Sequence, residues 1–189
     1  MMNLLIIQGH PDRESFTHAN AMNAMREAEK AGHQVKMIDL AVDDFDPILR
    51  FGYRQHMDDE SAPHHFQELI QEADHLAFFF PVWWGAEPAV LKGFLDRTLT
   101  PGFAYHYESP TKIQHLLKGK TASLFITSRG PAWFTKSPYG AVVSRWKRLV
   151  LGFSGIKVKK TLVMGDMNTK KNTEKKRQAF MALSAKELQ

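Results

Sequence analysis

The sequence predicts an α/β fold in which helices cover both faces of a parallel sheet. Short apolar runs recur along the chain, and each is followed by a longer segment in which apolar residues have helical spacing. The run from Leu76 to Phe80 contains no polar residue, which is typical of a strand buried on both faces. The chain has no internal repeat and no low-complexity linker, so its length predicts one domain, residues 1–189.

Five segments are predicted to form strands because they are short, apolar and bounded by polar, glycine or proline residues. They are residues 4–8, 34–40, 76–80, 121–127 and 158–164. The third is expected to be central in the sheet. Pro81 ends it, since proline has no backbone N–H to donate to a neighbouring strand.

A helix is predicted after every strand. The first begins with Ser15 or Thr17 as its N-cap and ends near Gly32. Its predicted inward positions are Ala19, Met22, Met25 and Ala28. The second leads into the central strand, the third begins near Pro88, and the last covers about residues 173–188.

The fourth helix precedes Gly155, which is expected to end it. Its predicted inward positions are Val142, Val143, Trp146, Leu149, Val150 and Phe153. The acidic segment 43–60 is predicted to be an irregular loop, and the aromatic segment 100–107 is also predicted to be a loop.

Five successive β-α units predict a sheet between two helical layers, with right-handed crossovers. The flavodoxin-like three-layer sandwich, with five parallel strands in the order 2-1-3-4-5, fits this pattern best. Ligands bind this fold where the strand order reverses, at the carboxyl ends of strands 1 and 3. We therefore expect the loops after strands 1, 3 and 4 to meet in one crevice.

The composition excludes several kinds of site. The chain has no cysteine and therefore no disulfide, thiolate metal ligand or cysteine nucleophile. The carboxylates of segment 43–46 lack the fixed spacing of a calcium loop, so no metal site is predicted. The first apolar run is too short for a signal peptide or a membrane span, so a cytoplasmic protein without stable membrane insertion is expected.

Charge is distributed unevenly along the chain. Residues 1–110 hold 8 Lys/Arg and 17 Asp/Glu, whereas residues 111–189 hold 17 Lys/Arg and 3 Asp/Glu. This division is consistent with a surface for a polyanion, with two surfaces that attract each other, or with a solvated basic face. No nucleic-acid partner is expected, because the basic residues are not accompanied by a groove-reading motif or by interleaved stacking aromatics.

The loop after the first strand has the layout of a phosphate site. Gly9-His10-Pro11 is followed by Ser15-Phe16-Thr17 at the start of a helix, where hydroxyls and backbone N–H groups can hold an anion. The sequence has neither a P-loop nor a G-x-G-x-x-G fingerprint. His10 is either a hydrogen-bond donor to the ligand or a loop histidine bonded to backbone.

The loops after strands 3 and 4 are rich in aromatic residues. Trp83 and Trp84 follow the central strand, where large rings favour a flat aromatic ligand, although a tryptophan pair can also simply close a core. Ser128-Arg129-Gly130 follows the fourth strand, and Trp133 and Tyr139 lie beyond it.

The stretches Pro81 to Arg97 and Gly102 to Tyr107 resemble the central motif of the flavodoxin-like NAD(P)H:quinone oxidoreductases of the DT-diaphorase type. The opening strand, His10, Ser15 to Thr17 and the placement of Thr127 to Gly130 are similar as well. The resemblance therefore covers almost the whole chain. It implies a homodimeric flavoprotein that transfers hydride from NAD(P)H through flavin to a quinone or a similar acceptor.

The resemblance also implies a role for each matching residue. The phosphate and ribityl chain would be held by His10, Ser15, Phe16 and Thr17, the ring would be lined by Pro81, Val82, Trp83 and Trp84, and its polar edge would meet Thr127, Ser128 and Gly130. Gly85 and Arg129, which lie beside these residues, are further candidates for cofactor binding, and Arg129 is expected to tune the flavin or to meet the phosphate of the nicotinamide cofactor. Tyr105 and Tyr107 match tyrosines that cover the flavin of the neighbouring subunit, and Trp133 is expected in the substrate pocket.

The chain departs from the long eukaryotic enzymes at several positions. Trp83 stands where they have glutamine, and Arg129 interrupts what is commonly a Thr-Thr-Gly-Gly loop. Tyr139 is the nearest candidate for their active-site tyrosine. Because the C-terminal extension of those enzymes is lacking, the resemblance is compatible with either FMN or FAD.

Two other functions remain open from the sequence. The one-signed charge of each half is compatible with a flavin-binding regulatory subunit that docks on an ion-transport system. A one-electron flavodoxin-type carrier is the second alternative, although the long aromatic loops favour an enclosed pocket for two-electron chemistry.

Overall fold

A computed structural model describes all 189 residues and shows a parallel sheet between two layers of helices. The strands are β1 (Asn3–Gln8), β2 (Gln34–Asp39), β3 (His75–Pro81), β4 (Tyr105–Ser109), β5 (Lys112–His115), β6 (Thr121–Thr127) and β7 (Lys157–Met164). Five of these form the parallel sheet. The predicted three-layer α/β architecture is thus confirmed.

One hairpin was not predicted. β4 and β5 pair antiparallel, within the segment 100–107 that is predicted to be a loop and beyond it. The parallel sheet therefore has the order β2-β1-β3-β6-β7, whereas the predicted order 2-1-3-4-5 numbers the parallel strands alone. Four of the five residues of β4 are exposed, so this strand has no apolar run by which the sequence could reveal it.

The helices agree with the prediction in number and position except between the fourth and fifth parallel strands. They are α1 (Phe16–Lys30), α2 (Ser61–Glu72), α3 (Ala89–Thr98), α4 (Ala132–Lys136), α5 (Val142–Arg145), α6 (Leu151–Ser154) and α7 (Glu174–Glu187). A 3-10 turn lies at Gly52–Arg54, and a π-helical segment at Trp146–Val150 joins α5 to α6. The short helix α4 lies in the loop that follows the fourth parallel strand, which was predicted to be irregular and rich in aromatic residues.

The predicted inward face of α1 is partly wrong. Ala19 is exposed, and the buried residues of the helix are Thr17, Asn20, Ala21, Ala24 and Ala28. The face is rotated because α1 packs against α7 as well as the sheet, and the Asn20 amide donates to the Ser184 hydroxyl of α7 at 3.1 Å. A polar pair between helices cannot be read from apolar periodicity.

The predicted burial of Leu149 is also wrong, because its side chain is 70% exposed. Leu149 lies in the π-helical segment, where the wider turn changes the angle between successive side chains. Trp146, at the start of this segment, is fully buried as predicted. Gly155 ends α6 with a φ of +90°, a conformation that glycine adopts without steric cost.

Two apolar clusters fill the space on either side of the sheet. Helices α1 and α7 cover the smaller cluster, which includes Ile6 and Phe79 of the sheet. Helices α2, α3, α5 and α6 cover the larger cluster, which includes Phe78, Phe80 and Trp146. Since alternate residues of β3 belong to opposite clusters, every residue of this strand is buried.

The uneven charge of the sequence becomes a spatial division. The acidic half supplies β1, β2, β3 and α1 to α3, and the basic half supplies β6, β7 and α4 to α7, so the two halves occupy opposite edges of the sheet. Only two ion pairs, Lys112–Glu108 and Arg145–Glu87, join a residue of one half to a residue of the other. The charges of the two halves are therefore largely unpaired with each other within the chain.

None of the helices combines the length and the apolar character that a membrane span requires.

We predict that His75 contributes to the acid sensitivity of the fold. It begins β3, its Nδ1 lies 2.7 Å from the Thr121 hydroxyl, and burial, with a smaller effect of the Lys159 charge, lowers its pKa from 6.5 to about 4. The unfolded chain therefore binds a proton near pH 6.5, whereas the folded chain does so only near pH 4. Stability from the neutral imidazole is lost as the pH falls through this interval.

The His75→Asn variant should show a shallower decrease in melting temperature between pH 6.5 and pH 4 than the unsubstituted protein. The exposed His106 provides the control, because His106→Asn should leave the slope unchanged. Parallel curves for all three proteins would contradict the assignment.

Candidate functional site

Three strands of the sheet end side by side at one edge. Strand β3 lies between β1 and β6, and their carboxyl ends are joined by two backbone hydrogen bonds. Gly9 N–H donates to the Phe79 carbonyl at 2.8 Å, and Val82 N–H donates to the Thr127 carbonyl at 2.8 Å. The loops after β1, β3 and β6 are thereby brought together, as the sequence predicts for a ligand crevice.

The start of α1 is an anion-binding arrangement. Ser15 is the N-cap, and its hydroxyl accepts a hydrogen bond from the His18 backbone N–H at 3.1 Å. The N–H groups of Phe16 and Thr17, at the first two helical positions, have no partner within the helix. They lie at the positive end of a 15-residue helix and can donate to a phosphate.

His10 faces the loop that follows β3. Its ring meets the ring of Trp83 edge-to-face, with centroids 5.2 Å apart. Its Nδ1 accepts from the Asp12 backbone N–H at 3.0 Å, and burial lowers the His10 pKa although the Asp12 charge opposes this effect. The imidazole is therefore neutral near pH 7, with its proton on Nε2, where it can be donated to a ligand.

A buried polar network beneath this loop was missed by the sequence analysis. The fully buried Gln8 amide donates to the His10 carbonyl at 2.9 Å and to Asp39 Oδ1 at 2.8 Å, and its oxygen accepts from His10 N–H. His18 Nε2 lies 2.9 Å from the other oxygen of Asp39. The network fixes the β1–α1 loop, and its one sequence signal is a polar residue that ends an apolar strand.

Trp83 to Ala86 form a tight hairpin after β3, here called the tryptophan hairpin. Trp83 and Ala86 exchange two backbone hydrogen bonds of 2.8 and 3.0 Å, and Trp84 and Gly85 between them have φ values of +49° and +75°. Positive φ at both central residues defines a type I′ turn, in which tryptophan is unfavourable. The Trp84 side chain is fully exposed, and Trp83 is 44% exposed. The hairpin therefore presents two large rings to solvent and does not close the core.

The loop after β6 uses its hydroxyls internally. Thr127 Oγ1 lies 3.2 Å from Thr17 Oγ1, and both threonines are buried. The Ser128 hydroxyl donates to the Gly130 carbonyl and accepts from the Thr135 hydroxyl, each at 2.9 Å. These contacts shape the loop but occupy the hydroxyls that the sequence assigned to a ligand. Arg129 is exposed beside them.

The remaining predicted site residues are not gathered in the crevice. Tyr105 and Tyr107 belong to the β4–β5 hairpin, where their rings contact each other, and the Tyr105 ring also contacts Phe153 of α6. Burial, with a smaller effect of Tyr107, raises the Tyr105 pKa. Trp133 and Tyr139 are 70% and 89% exposed on the segment around α4. None of these four aromatic residues therefore has a ring contact with the residues around the three strand ends.

A cavity of about 520 Å³ lies away from these strand ends, between the acidic loop, α2 and the segment after α3. It is lined mainly by polar residues, including the buried Arg97, whose guanidinium donates to the carbonyls of Asp46 and Asp59 and to Glu60. These bonds hold the acidic loop against α3, and they leave the Nε of Arg97 buried without a hydrogen-bond partner.

Comparison with known proteins gives a consistent result. The family model described as "flavodoxin-like fold" matches residues 2–187. An uncharacterized NAD(P)H oxidoreductase of Haemophilus influenzae is 38% identical over 130 residues, which are 67% of this chain and 64% of that protein. The ribosyldihydronicotinamide dehydrogenase [quinone] of Pongo abelii is 30% identical over 165 residues, 71% of this chain and 67% of that protein.

A solved structure from Streptococcus mutans UA159 superposes over 99% of this chain and 98% of its own, with a TM-score of 0.80 and 28% sequence identity. The similarity thus extends over the whole of that structure, whereas the chain spans about two thirds of the length of the curated relatives described above.

We predict that Gln8→Leu destabilises the protein by about 2 kcal/mol, because the substitution leaves the backbone N–H and carbonyl of His10 without their partner and removes one donor to Asp39. Chemical denaturation followed by circular dichroism measures the change. Gln67, a half-buried glutamine with two hydrogen bonds elsewhere, provides the control, and Gln67→Leu should cost less. Equal losses would show that the Gln8 network has no special importance.

Proposed function

Because the chain belongs to the flavodoxin-like fold family, we propose that it is a flavin-dependent NAD(P)H oxidoreductase whose acceptor is a quinone or a similar compound. The names of the two curated relatives, an NAD(P)H oxidoreductase and a quinone-dependent dehydrogenase, support this reaction class. The observation that carries the proposal is the tryptophan hairpin, which presents two exposed rings, and the Trp83 ring contacts His10 in the loop that leads to the start of α1.

The residues present fit a flavin mononucleotide unit. Such a ligand needs donors for a phosphate at one end and an apolar surface for a flat ring at the other. The free N–H groups of Phe16 and Thr17 and the Nε2–H of His10 are the donors, and Trp83 supplies the surface, with its ring directly against His10. No glycine-rich dinucleotide loop is present to hold a pyrophosphate.

We assign His10, Ser15, Phe16 and Thr17 to the phosphate and ribityl chain, and Pro81 to Gly85 to the ring. For the loop after β6 the assignment changes in detail. Since the hydroxyls of Thr127 and Ser128 are bonded within the protein, contacts from this loop to a flavin would come from the backbone of Arg129 and Gly130 and from the Arg129 side chain.

FMN and FAD share the unit that these residues fit, and NAD(P)H is the proposed co-substrate. A bound flavin supplies the capacity to accept a hydride from the nicotinamide and to donate it to the acceptor. The protein's own contribution is position and electrostatics. Arg129 would stabilise negative charge that develops at the ring, as a preorganised cation does in an oxyanion hole.

We further propose a homodimer in which Tyr105 and Tyr107 cover the flavin of the partner subunit. The exposure of Tyr107, the half-buried position of Tyr105 on the same hairpin, and the absence of ring contacts from either tyrosine to the crevice of their own chain support this arrangement. Trp133 and Tyr139 are the proposed substrate-pocket and catalytic residues, because both are available on the loop that follows Arg129 and Gly130.

The first prediction concerns the reaction itself. Under anaerobic conditions, NADPH or NADH should bleach the visible absorbance of the flavin-reconstituted protein, and a quinone should restore it. Reduction by only one nucleotide would give the cofactor preference. If flavin binds but neither nucleotide reduces it, the carrier or regulatory function is favoured; if no flavin binds, the crevice is not a flavin site.

The second prediction separates ligand binding from helix stability. Ser15→Ala and Thr173→Ala each remove an N-cap hydroxyl, from α1 and α7, and each should lower the free energy of unfolding by about 1 kcal/mol. Only Ser15→Ala should weaken flavin binding, by about tenfold, because of these two helices α1 is the one whose N-terminus is proposed to hold the phosphate. Fluorescence titration with FMN measures the dissociation constants. Equal binding by both variants would argue against a phosphate at the start of α1.

A further inference from the structure

Glu87 is a buried carboxylate that none of the assignments above uses. Its side chain is 1% exposed, and its Oε2 accepts hydrogen bonds from the Trp146 indole N–H at 3.0 Å and from the Arg145 guanidinium. The other oxygen, Oε1, is buried without a partner. An apolar residue of similar size is often as stable as a buried ion pair, so fold stability alone does not explain a glutamate here.

The position of Glu87 in the chain connects it to the tryptophan hairpin. It follows Ala86, which closes the hairpin with Trp83, and it precedes Pro88, the N-cap residue of α3. The Trp84 ring is fully exposed and cannot orient the hairpin by packing. The anchors on the entry side are the Val82–Thr127 backbone bond and the His10–Trp83 ring contact, and Glu87 supplies the anchor at the exit.

The bond between Glu87 and Trp146 closes a circuit of contacts. Trp146 is fully buried and stacks on Phe80 of β3, with centroids 4.6 Å apart and planes 22° apart. Phe80, near the end of β3, and Glu87, directly after the hairpin, therefore contact the same indole. The two bonds to one carboxylate oxygen are charge-assisted, and such bonds are directional as well as strong.

From this geometry we propose that Glu87 is a positioning residue: through Trp146 and Arg145 it holds the tryptophan hairpin in the orientation that presents its rings to the ligand. The proposal deepens the proposed function and rests on it where flavin is concerned. The order of the hairpin itself is independent of flavin, so the two can fail separately.

The first test measures amide hydrogen exchange at Trp83 and Ala86 in the flavin-free protein. Glu87→Leu removes the acceptor while keeping a similar volume, and Trp146→Phe keeps the stacking on Phe80 but removes the indole N–H. Both should accelerate exchange in the hairpin about tenfold, and Glu87→Gln, which retains an acceptor oxygen, should remain closer to the unsubstituted protein. If Glu87→Leu does not fold, Trp146→Phe carries the test.

The matched control is Glu60→Leu. Glu60 also pairs with an arginine, since it accepts from the buried Arg97 at 3.1 Å. This pair lies at the C-terminal end of α3, whereas the hairpin precedes the N-terminal end of that helix. Glu60→Leu should lower the melting temperature without changing exchange at Trp83 and Ala86. Unchanged hairpin exchange in both Glu87→Leu and Trp146→Phe would overturn the proposal, as would equal acceleration by Glu60→Leu.

The second test is the FMN titration, followed by quenching of tryptophan fluorescence. Glu87→Leu should raise the dissociation constant about tenfold and reduce the quenching amplitude, whereas Glu60→Leu should stay within about twofold of the unsubstituted protein. Wild-type affinity and quenching in Glu87→Leu would refute the positioning role. Failure of the unsubstituted protein to bind FMN would instead refute the proposed function, and the exchange result would still decide whether Glu87 orders the hairpin.

Discussion

Burial of strand β3 on both faces is the constraint on which the rest of the structure depends. All seven of its residues are buried, with Phe78 and Phe80 in the larger apolar cluster and Phe79 stacked on Phe125 in the smaller one. A strand in this environment cannot carry exposed polar chemistry along its length. Polar and exposed aromatic groups are therefore confined to the residues beyond its carboxyl end, next to the ends of β1 and β6.

A few buried polar groups give these loops their shape. Gln8 fixes the loop after β1, the Thr17–Thr127 pair joins the start of α1 to the end of β6, and Glu87 ties the tryptophan hairpin to Trp146. An average hydrogen bond contributes about 1 kcal/mol, but a buried group that loses its partner costs about 1–3 kcal/mol. These groups therefore act mainly by making alternative conformations of the loop backbone unfavourable.

The strands and helices of the sheet could be predicted because their burial is strong and periodic. Thr121–Thr127 was predicted with its observed bounds, and Gly155 ends its helix as expected. The failures have local physical causes. Ala19 is exposed, although it was predicted to face inward, because α1 also packs against α7. Leu149 is exposed because a π-helical segment interrupts the helical periodicity. Strand β4 was missed because its residues are mostly exposed.

The sequence by itself determined the parallel α/β architecture and the three loops that meet at the sheet edge, since both follow from apolar runs and their order along the chain. Only the tertiary structure decided how individual groups are used. It occupied the Ser128 hydroxyl internally, exposed Trp84 and joined Glu87 to Trp146, 59 residues away. Such pairings depend on the distance and direction between side chains that are remote in the chain, and no local pattern contains that information.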